Sequence, residues 1–192
     1  SKQKYLESKG KSSDNTNTST SRNYEEVEQL ESIEFTSKRK RMSVIVRETD
    51  GSIKLYIKGA DTVINERLRS GQSSIVTQTN TDMAKFSEEG LRCLLVGYAN
   101  IDEKWYQNWS MKYKIAKTNL DEIEKKKKLL PNIIETLEDE IEKDIILIGS
   151  TALEDRLQDG VPEAISLLAK AGIKIWVLTG DKEETAINIA VA

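Results

Sequence analysis

Histidine is absent from the 192-residue sequence, and Cys93 is the single cysteine. The lack of histidine excludes Ser-His-Asp and Cys-His catalytic arrangements and histidine-ligated metal sites. One cysteine cannot build a disulfide framework, and its place in an apolar run favours a buried, reduced thiol. No apolar run approaches the roughly 20 residues of a membrane-spanning helix, so we expect that the chain does not itself cross a bilayer.

The charge balance also excludes one class of function. Lys and Arg number 29 against 32 Asp and Glu, for a net charge of -3, so no broad basic surface for nucleic acid is expected. Charged residues make up 32% of the chain and hydrophobic residues 38%, which is typical of a soluble globular protein. The N-terminus has no apolar signal-like segment, which favours a cytosolic chain or an excised segment.

The first half of the chain is typical of strands and helices in alternation. Residues 1–22 are rich in Ser, Asn, Thr and Lys, and we expect a flexible tail. Alternating runs at 42–46 and 53–57 flank Thr49-Asp50-Gly51, which predicts a β-hairpin. Further elements are then predicted as a helix at 62–69 capped by Asp61, a helix at 75–89, a strand at 91–101, a helix at 102–130 and an acidic helix that ends near 143.

From residue 145 the pattern changes to strand, loop and helix, repeated, which is typical of a parallel α/β unit. A strand begins at 145–148, Pro162 stands in the first turn of a helix, and 173–178 has the composition of a buried strand. We therefore place a domain boundary near residue 144. Region 23–144 is one domain, and 145–192 is the incomplete start of another.

The loop after 173–178 has the residue types of a phosphate-binding site. Thr179, Gly180 and Asp181 follow a predicted parallel strand and precede a helix, where open α/β sheets place anionic ligands. The threonine hydroxyl can donate to a phosphate oxygen, and glycine lets the backbone come close. The same three residues also fit an ordinary helix cap with a turn glycine, so both interpretations stand at this point.

Three further residues, each considered alone, are compatible with nucleotide binding. Lys58, before Gly59 at a strand end, can reach a phosphate, although a surface lysine is the simpler interpretation. Phe35 precedes the basic cluster at 38–41, an arrangement that suits base stacking as well as an ordinary core phenylalanine. Arg92, at the start of a strand, can form a bidentate pair with a phosphate or pair with an acidic neighbour.

Taken together, five segments resemble the cytosolic part of P-type ATPases, and in particular the P4 subfamily of phospholipid flippases. They read EFTSKRKRMSVIV at 34–46, KGADTVI at 58–64, GLR at 90–92, ALEDRLQDGVPEAI at 152–165 and GIKIWVLTGDKEETAINI at 172–189. The resemblance covers about 24–192, and the stretch near 122–139 fits it poorly and looks like an insertion. We expect this insertion to be mobile around 125–139, like the tail.

The resemblance implies an α+β nucleotide-binding domain, an antiparallel sheet with flanking helices, joined to an incomplete α/β, haloacid-dehalogenase-like phosphorylation-domain segment. It implies a set of nucleotide-binding residues and no catalytic or metal-binding residue in this sequence. Phe35 would stack on adenine, Lys58 would line the pocket and Arg92 would lie near the phosphates. The implied set is completed by Thr179, Gly180 and Asp181 at the γ-phosphate and by Lys40 and Met42 in the pocket.

The resemblance further implies a parent protein that moves phospholipid to the cytosolic leaflet through an aspartyl-phosphate intermediate, with ATP and Mg²⁺. That parent would be an integral membrane protein with a small accessory membrane subunit, and this segment would be soluble, monomeric and on the cytosolic face. The sequence contains no DKTGT, GDGxND, TGE or SPDE segment. Phosphoryl transfer needs the aspartate nucleophile and metal ligands of these segments, so we expect this chain alone to be inactive.

Three alternatives remain open from the residues. One is a non-catalytic interaction module whose helices at 102–143 bind a partner protein. Another is a fragment of a cation-transporting P-type ATPase. The last is a soluble haloacid-dehalogenase-type phosphatase from residue 145 onward, although the absence of a nucleophile tells against an active one.

Overall fold

A computed structural model of the chain describes residues 2–6, 24–154, 158–176, 178 and 187. Six strands form one sheet in the order β1-β2-β3-β4-β5-β6, and every neighbouring pair is antiparallel. The predicted antiparallel sheet with flanking helices is confirmed. The elements are β1 (Lys2–Leu6), β2 (Tyr24–Ile33), β3 (Arg41–Arg47), β4 (Ile53–Gly59), α1 (Asp61–Asn65), α2 (Ser73–Glu88), β5 (Arg92–Ile101), α3 (Glu103–Thr118), α4 (Leu120–Lys127), α5 (Ile133–Ile141), β6 (Ile146–Leu153) and α6 (Val161–Lys170).

The hydrophobic core lies between one face of the sheet and the helices. Ile45, Leu55 and Leu95 of the three central strands are completely buried. Trp109 of α3 and Leu137 of α5 belong to the same cluster, so sheet and helices share one core. Removing this apolar surface from water is the main favourable contribution to the fold.

The predicted hairpin is confirmed as β3 and β4. Its loop is closed by a hydrogen bond from the Glu48 backbone N–H to the Ser52 carbonyl, at 2.9 Å. Gly51 has a φ of 86°, a left-handed conformation that costs glycine little. The Asp50 carboxylate accepts a bond from the Ser52 N–H at 2.8 Å, so the Asp-Gly pair sets the register of the hairpin.

The helix predicted after Lys58-Gly59-Ala60 is shorter than expected. It ends at Asn65, and its N-cap is Ala60 rather than Asp61. Ala60 is still extended because its N–H is bonded to the Lys40 carbonyl at 3.0 Å, which continues the pairing with the β3 side of the hairpin. Asp61 therefore lies in the first helical turn, where a negative charge is favourable to the helix dipole.

The single helix predicted at 102–130 is two helices. The chain leaves α3 at Asn119, whose backbone is extended, with ψ of 117°. The Asn119 side chain then accepts bonds from the N–H groups of Asp121 and Glu122 and so caps α4. Asparagine favours such caps because its side chain competes with the backbone for hydrogen bonds.

The stretch around 125–139, expected to be mobile, contains helix α5, which is part of the folded core, and that expectation is wrong. Trp109 donates from Nε1 to the Leu137 carbonyl at 2.9 Å, and its ring stacks on Tyr113 at 4.7 Å. Ile134 and Ile141 of α5 are buried in the same cluster. Its apolar residues face α3 together, and this burial offsets the entropy cost of ordering the segment.

The parallel arrangement predicted from residue 145 is wrong for its first strand. β6 pairs antiparallel with β5, with Arg92 opposite Leu153, so it extends the sheet of the preceding domain. A strand's composition does not identify its partner, and here the open edge of β5 takes it up. The boundary near residue 144 and the phosphorylation-domain segment beyond 154 stay predictions.

The buried strand predicted at 173–178 is not formed by the described residues of that stretch. Residues 173–176 pair with no strand, and Ile173 and Trp176 are exposed. An apolar run becomes a buried strand only when neighbouring strands and helices cover it. The preceding helix α6 does have Pro162 in its first turn, as predicted.

The expectation of a flexible tail at residues 1–22 is wrong for part of that tail. Lys2–Leu6 form strand β1, with Lys2 opposite Glu28 of β2. Backbone groups on a sheet edge can pair with a polar segment as well as with an apolar one. The other tail residues lie outside the described residues. In the described part of the chain, no helix has the length and apolar content needed to cross a membrane.

Candidate functional site

The sheet has a second face that the helices leave open, and strand alternation decides which side chains stand on it. In β3 and β4, Ser43, Ile45, Leu55 and Ile57 are buried toward the helices. Because successive side chains point to opposite faces, the residues between them point the other way. We call this side the open face, and its central residues are Met42, Val44, Tyr56, Lys58 and Val96.

Pairing register places these residues side by side. Met42 lies directly opposite Lys58, and Lys58 lies opposite Val96 on the next strand. Val44 lies opposite Tyr56. Two of the predicted site residues, Met42 and Lys58, are therefore neighbours on adjacent strands.

A cleft of about 450 Å³ lies over this part of the open face. Its volume is in the range of sites for small organic ligands. Its lining includes the apolar side chains of Met42, Val44 and Val96 and the charged groups of Lys58 and Glu34, so the cleft combines apolar surface with groups that bind charge or hydrogen-bond donors. The lining residues are Gln29, Ser32, Glu34, Met42, Ser43, Val44, Tyr56, Ile57, Lys58 and Val96.

The Lys58 ammonium has no hydrogen bond or ion pair with any described residue. By contrast, Lys54, four positions back on the same face, is 3.6 Å from the Glu48 carboxylate. An unpaired lysine in a cleft is a point charge available to an anionic ligand. Lys58 is thus the cationic group that this cleft offers to such a ligand.

The loop at 34–40 joins β2 to β3 and presents Phe35. Within the loop, the Lys40 N–H bonds the Thr36 carbonyl at 2.8 Å and the Arg39 N–H bonds the Thr36 hydroxyl at 3.1 Å. The Phe35 side chain is 59% exposed, although it is large and apolar. Phe35 is not among the residues that line the cleft, but its neighbour Glu34 is.

Lys40, another predicted site residue, ends the same loop. Its φ is 51°, which is unusual for a residue other than glycine. The side chain is exposed and does not line the cleft. Lys40 is therefore close to the site in the chain, at the start of β3, without contributing to the cleft wall.

A buried charge cluster supports this loop from the covered side of the sheet. Glu142, at the end of α5, is completely buried and accepts bonds from Arg39 at 2.5 Å and from Arg41 Nε at 2.6 Å. Arg41 also pairs with Asp139, and the Ser43 hydroxyl also donates to Glu142. We call Arg39, Arg41 and Glu142 the buried ion cluster, and Asp139 pairs with Arg41 from the exposed side.

A second buried carboxylate, Glu138, lies beside this cluster. It accepts bonds from the Tyr113 hydroxyl at 3.0 Å and from Lys126 at 2.6 Å, and Arg39 Nε is 3.5 Å away. Burial and the adjacent carboxylate raise the pKa of Tyr113 far above its ordinary value. Tyr113 therefore stays protonated and remains a hydrogen-bond donor.

Arg92 begins β5 on the same strand as Val96. Four residues separate the two, so Arg92 has the parity of the open face and lies about 13 Å from Val96 along the strand. The structure thus places it on the face of Lys58 but beyond the end of the cleft. Thr179, Gly180 and Asp181 lie outside the described residues, so their predicted role stays a prediction.

Sequence reasoning missed Glu34, Tyr56 and Val96 as cleft residues. The hairpin alternation that identified Lys58 also carries a signal for Tyr56, which is two positions earlier on the same face. The buried ion cluster had no local signal, because Arg39 and Glu142 are 103 positions apart.

A separate cavity of about 440 Å³ lies between α1 and α2, away from the open face. It is lined by Asp61, Asn65, Asn80, Met83, Ala84, Ser87 and Glu88. None of the residues that were predicted to bind nucleotide lines it. In the described part of the chain, no group of three or more acidic or cysteine side chains is arranged to hold a metal ion.

Comparison with known proteins gives a consistent result over most of the chain. The family model "P-type ATPase, cytoplasmic domain N" matches residues 6–160. "Phospholipid-transporting ATPase IC" of Homo sapiens is 52% identical over 164 residues, which cover 83% of this chain and 12% of that protein.

Two fungal proteins match equally well. "Phospholipid-transporting ATPase DNF1" of Chaetomium thermophilum is 50% identical over 83% of this chain and 10% of its own length. "Phospholipid-transporting ATPase DRS2" of Saccharomyces cerevisiae is 50% identical over 87% of this chain and 12% of its own length. The chain thus spans between 10% and 12% of the length of these three relatives.

Proposed function

Since this chain belongs to the P-type ATPases, within their phospholipid-transporting group, we propose that it binds ATP on the open face of its sheet. One observation carries the proposal. The cleft holds Lys58 without any described partner, and the loop that lines its rim exposes the large aromatic side chain of Phe35. An unpaired cation in the cleft suits the phosphates of a nucleotide, and an exposed aromatic ring on the adjoining loop suits its base.

Each residue has a distinct role in this proposal. Phe35 stacks on the adenine ring, and Lys58 approaches a phosphate as a point charge. Met42 lines the apolar wall of the cleft beside Lys58. Lys40 and Arg92 lie farther out and add positive charge that attracts the triphosphate.

We also propose a function for the whole protein to which this chain belongs. We place the chain in a phospholipid-translocating ATPase that works through an aspartyl-phosphate, on the cytosolic side of a membrane and with an accessory subunit. In that protein, the residues that follow β6 would begin a phosphorylation domain, and Thr179, Gly180 and Asp181 would hold the γ-phosphate. The names of the relatives favour a phospholipid over a cation as the transported substrate.

We do not propose that this chain alone catalyses ATP hydrolysis. Its sequence contains no DKTGT segment, so it lacks the aspartate that the family phosphorylates. Magnesium would accompany ATP in the whole protein, but the described residues offer it no carboxylate cluster, and no site for it is assigned here. We expect binding of ATP without turnover.

Calorimetric titration with ATP tests the proposal directly. Phe35→Ala should weaken ATP binding by about 1 to 3 kcal/mol, because it removes the stacking surface for the base. Met111→Ala is the matched control, since Met111 on α3 is equally exposed and belongs to no part of the cleft. Equal affinity of the wild type and the Phe35 variant would rule out this site.

A further inference from the structure

We propose that Glu142 is a positioning residue for ATP, which acts through Arg39 and Arg41 on the loop that carries Phe35. This inference rests on the proposed function, since it assigns a role in ATP binding to a residue that does not touch the ligand. Glu142 is the C-terminal cap of α5, a helix that begins within the stretch at 122–139 that looked like an insertion. The proposal gives that helix a function at the site.

The first step is the bonding of Glu142 itself. Its two oxygens divide their partners, since Oε1 accepts from Arg39 and Ser43 while Oε2 accepts from Arg41. The side chain is 0% exposed, so it depends entirely on these donors to compensate for lost hydration. One carboxylate therefore fixes two arginines and a serine around the start of β3.

The second step is the reach of Arg39 into the loop. Its Nη2 atom donates to the Glu142 carboxylate, and its Nη1 atom donates to the Glu34 carbonyl at 2.9 Å. The Arg39 backbone N–H is bonded to the Thr36 hydroxyl at 3.1 Å. Arg39 thus holds the residues on both sides of Phe35 and connects the loop to the end of α5.

The third step is that little else fixes Phe35. Its ring is more than half exposed, so packing supplies few contacts that would hold the loop in one conformation. A flexible aromatic loses side-chain and loop entropy on binding, and a loop that is held in advance avoids that cost. A buried ion pair need not add net stability relative to apolar side chains of the same size, and here its bonds fix the residues beside Phe35. We therefore expect the ion pair of Glu142 to raise the affinity for ATP by holding Phe35 in place.

A double-mutant cycle in the full 192-residue chain tests this coupling. Glu142→Gln should weaken ATP binding about fivefold when Phe35 is present, which is the order of the cost of ordering one loop side chain. In the Phe35→Ala background the same change should alter affinity by less than about twofold, because the group that it positions is gone. Glu140→Gln, an exposed position on the same helix, is the matched control and should change neither affinity.

Inorganic tripolyphosphate separates positioning of the base from general damage to the site. It has no base, so its affinity should be the same in Glu142→Gln and in the wild type. An equal loss of ATP affinity with and without Phe35, or a matching loss of tripolyphosphate affinity, would overturn the proposal. Arg39→Lys carries the same comparison if Glu142→Gln does not fold, because lysine keeps the charge beside Glu142 but cannot also bond the Glu34 carbonyl.

A measurement without nucleotide keeps this inference distinct from the proposed function. The chain has two phenylalanines, Phe35 and Phe86, so 4-fluorophenylalanine labelling gives two ¹⁹F resonances. In Glu142→Gln the Phe35 resonance should shift or broaden while the Phe86 resonance stays in place. An unchanged Phe35 resonance would overturn the positioning role, whereas failure of the wild type to bind ATP would overturn the proposed function.

Discussion

Two lysines show how their surroundings decide what a residue can do. Lys126 is bonded to the buried Glu138 carboxylate at 2.6 Å, so its charge is already compensated within the fold. Lys58 lies in a cleft with no bond to a described residue, so its charge is free for a ligand. Lys126 belongs to the run of four lysines at 125–128 and Lys58 ends strand β4, and their places in the fold give the two charges different roles.

The free charge of Lys58 leads to a prediction about ligand type. Lys58→Gln should weaken ATP binding about fivefold, the order expected for one exposed charge-assisted contact, and leave adenosine binding unchanged. Lys54→Gln is the control, since Lys54 stands on the same face but is engaged by Glu48. Titrations of each variant with ATP and adenosine make the comparison. An equal loss for adenosine would show that Lys58 shapes the cleft instead of binding phosphate.

Glu122 predicts a pH dependence of folding stability. Hydrogen bonds from Lys125 and from the Ile133 backbone N–H hold the pKa of Glu122 below its ordinary value of 4.5. The unfolded chain therefore binds this proton more readily, and the stabilisation is present above pH 4.5 and lost as pH falls through the lower, folded-state pKa. Glu122→Gln should accordingly destabilise the protein at pH 7 and much less at pH 3.

Urea unfolding at the two pH values measures this difference. Glu124→Gln serves as the control, because Glu124 is exposed and, among the described residues, forms an ion pair only with Lys128, the C-cap of α4. Exposed pairs of that type contribute little. A loss of stability in Glu122→Gln that is the same at pH 3 and pH 7 would contradict the assigned role of its carboxylate.

At the scale of elements, helix α5 is an integral part of the core. Leu137 and Ile141 are buried against α3, and the Leu137 carbonyl accepts the indole N–H of Trp109. The same helix ends in the buried ion cluster beneath the loop of Phe35. α5 therefore connects the stability of the core to the shape of the candidate site.

Truncation of a buried side chain on α5 measures this connection. Leu137→Ala should lower the free energy of unfolding by about 2 to 5 kcal/mol, because it leaves a cavity in a packed core. Ile133→Ala on the same helix should cost under about 1 kcal/mol, since Ile133 is 55% exposed against 6% for Leu137. Chemical denaturation of both variants gives the comparison. Equal costs would mean that α5 does not pack as described.

Elements with a regular local pattern could be predicted, and those defined by distant contacts could not. The β3–β4 hairpin was predictable because alternation and an Asp-Gly turn coincide, and this placed Met42 and Lys58 correctly at its end. β2 was missed, because a register shift between Gln29 and Glu31 interrupts its alternation. The antiparallel pairing of β6 depends on the free edge of β5, which no local pattern reveals.

Part of the candidate site could be predicted from local motifs, and part of it could not. Phe35 and Lys58 were recognisable from short motifs, since each stands in a segment with a distinctive residue order. The support of Phe35 by Glu142 was not, because the interacting residues are about a hundred positions apart and charged residues are common in this chain. Long-range ion pairs leave no periodic signal in a sequence, so only the fold could identify this part of the site.

The whole molecule has a sheet with two unlike faces. Helices bury one face and supply the stability, while the open face carries the cleft with Lys58 and Val96. Rigid strands hold these residues in register, which suits a ligand site that must keep its geometry without the ligand. We therefore expect ATP to bind to the open face.

Chemical-shift mapping of the ¹⁵N-labelled chain during titration with ATP tests this claim most directly. The account predicts that the largest backbone shifts occur at Phe35, Met42, Lys58 and Val96, with no comparable change at the cavity between α1 and α2. Shifts confined to that cavity, or the absence of shifts at saturating ATP, would contradict it.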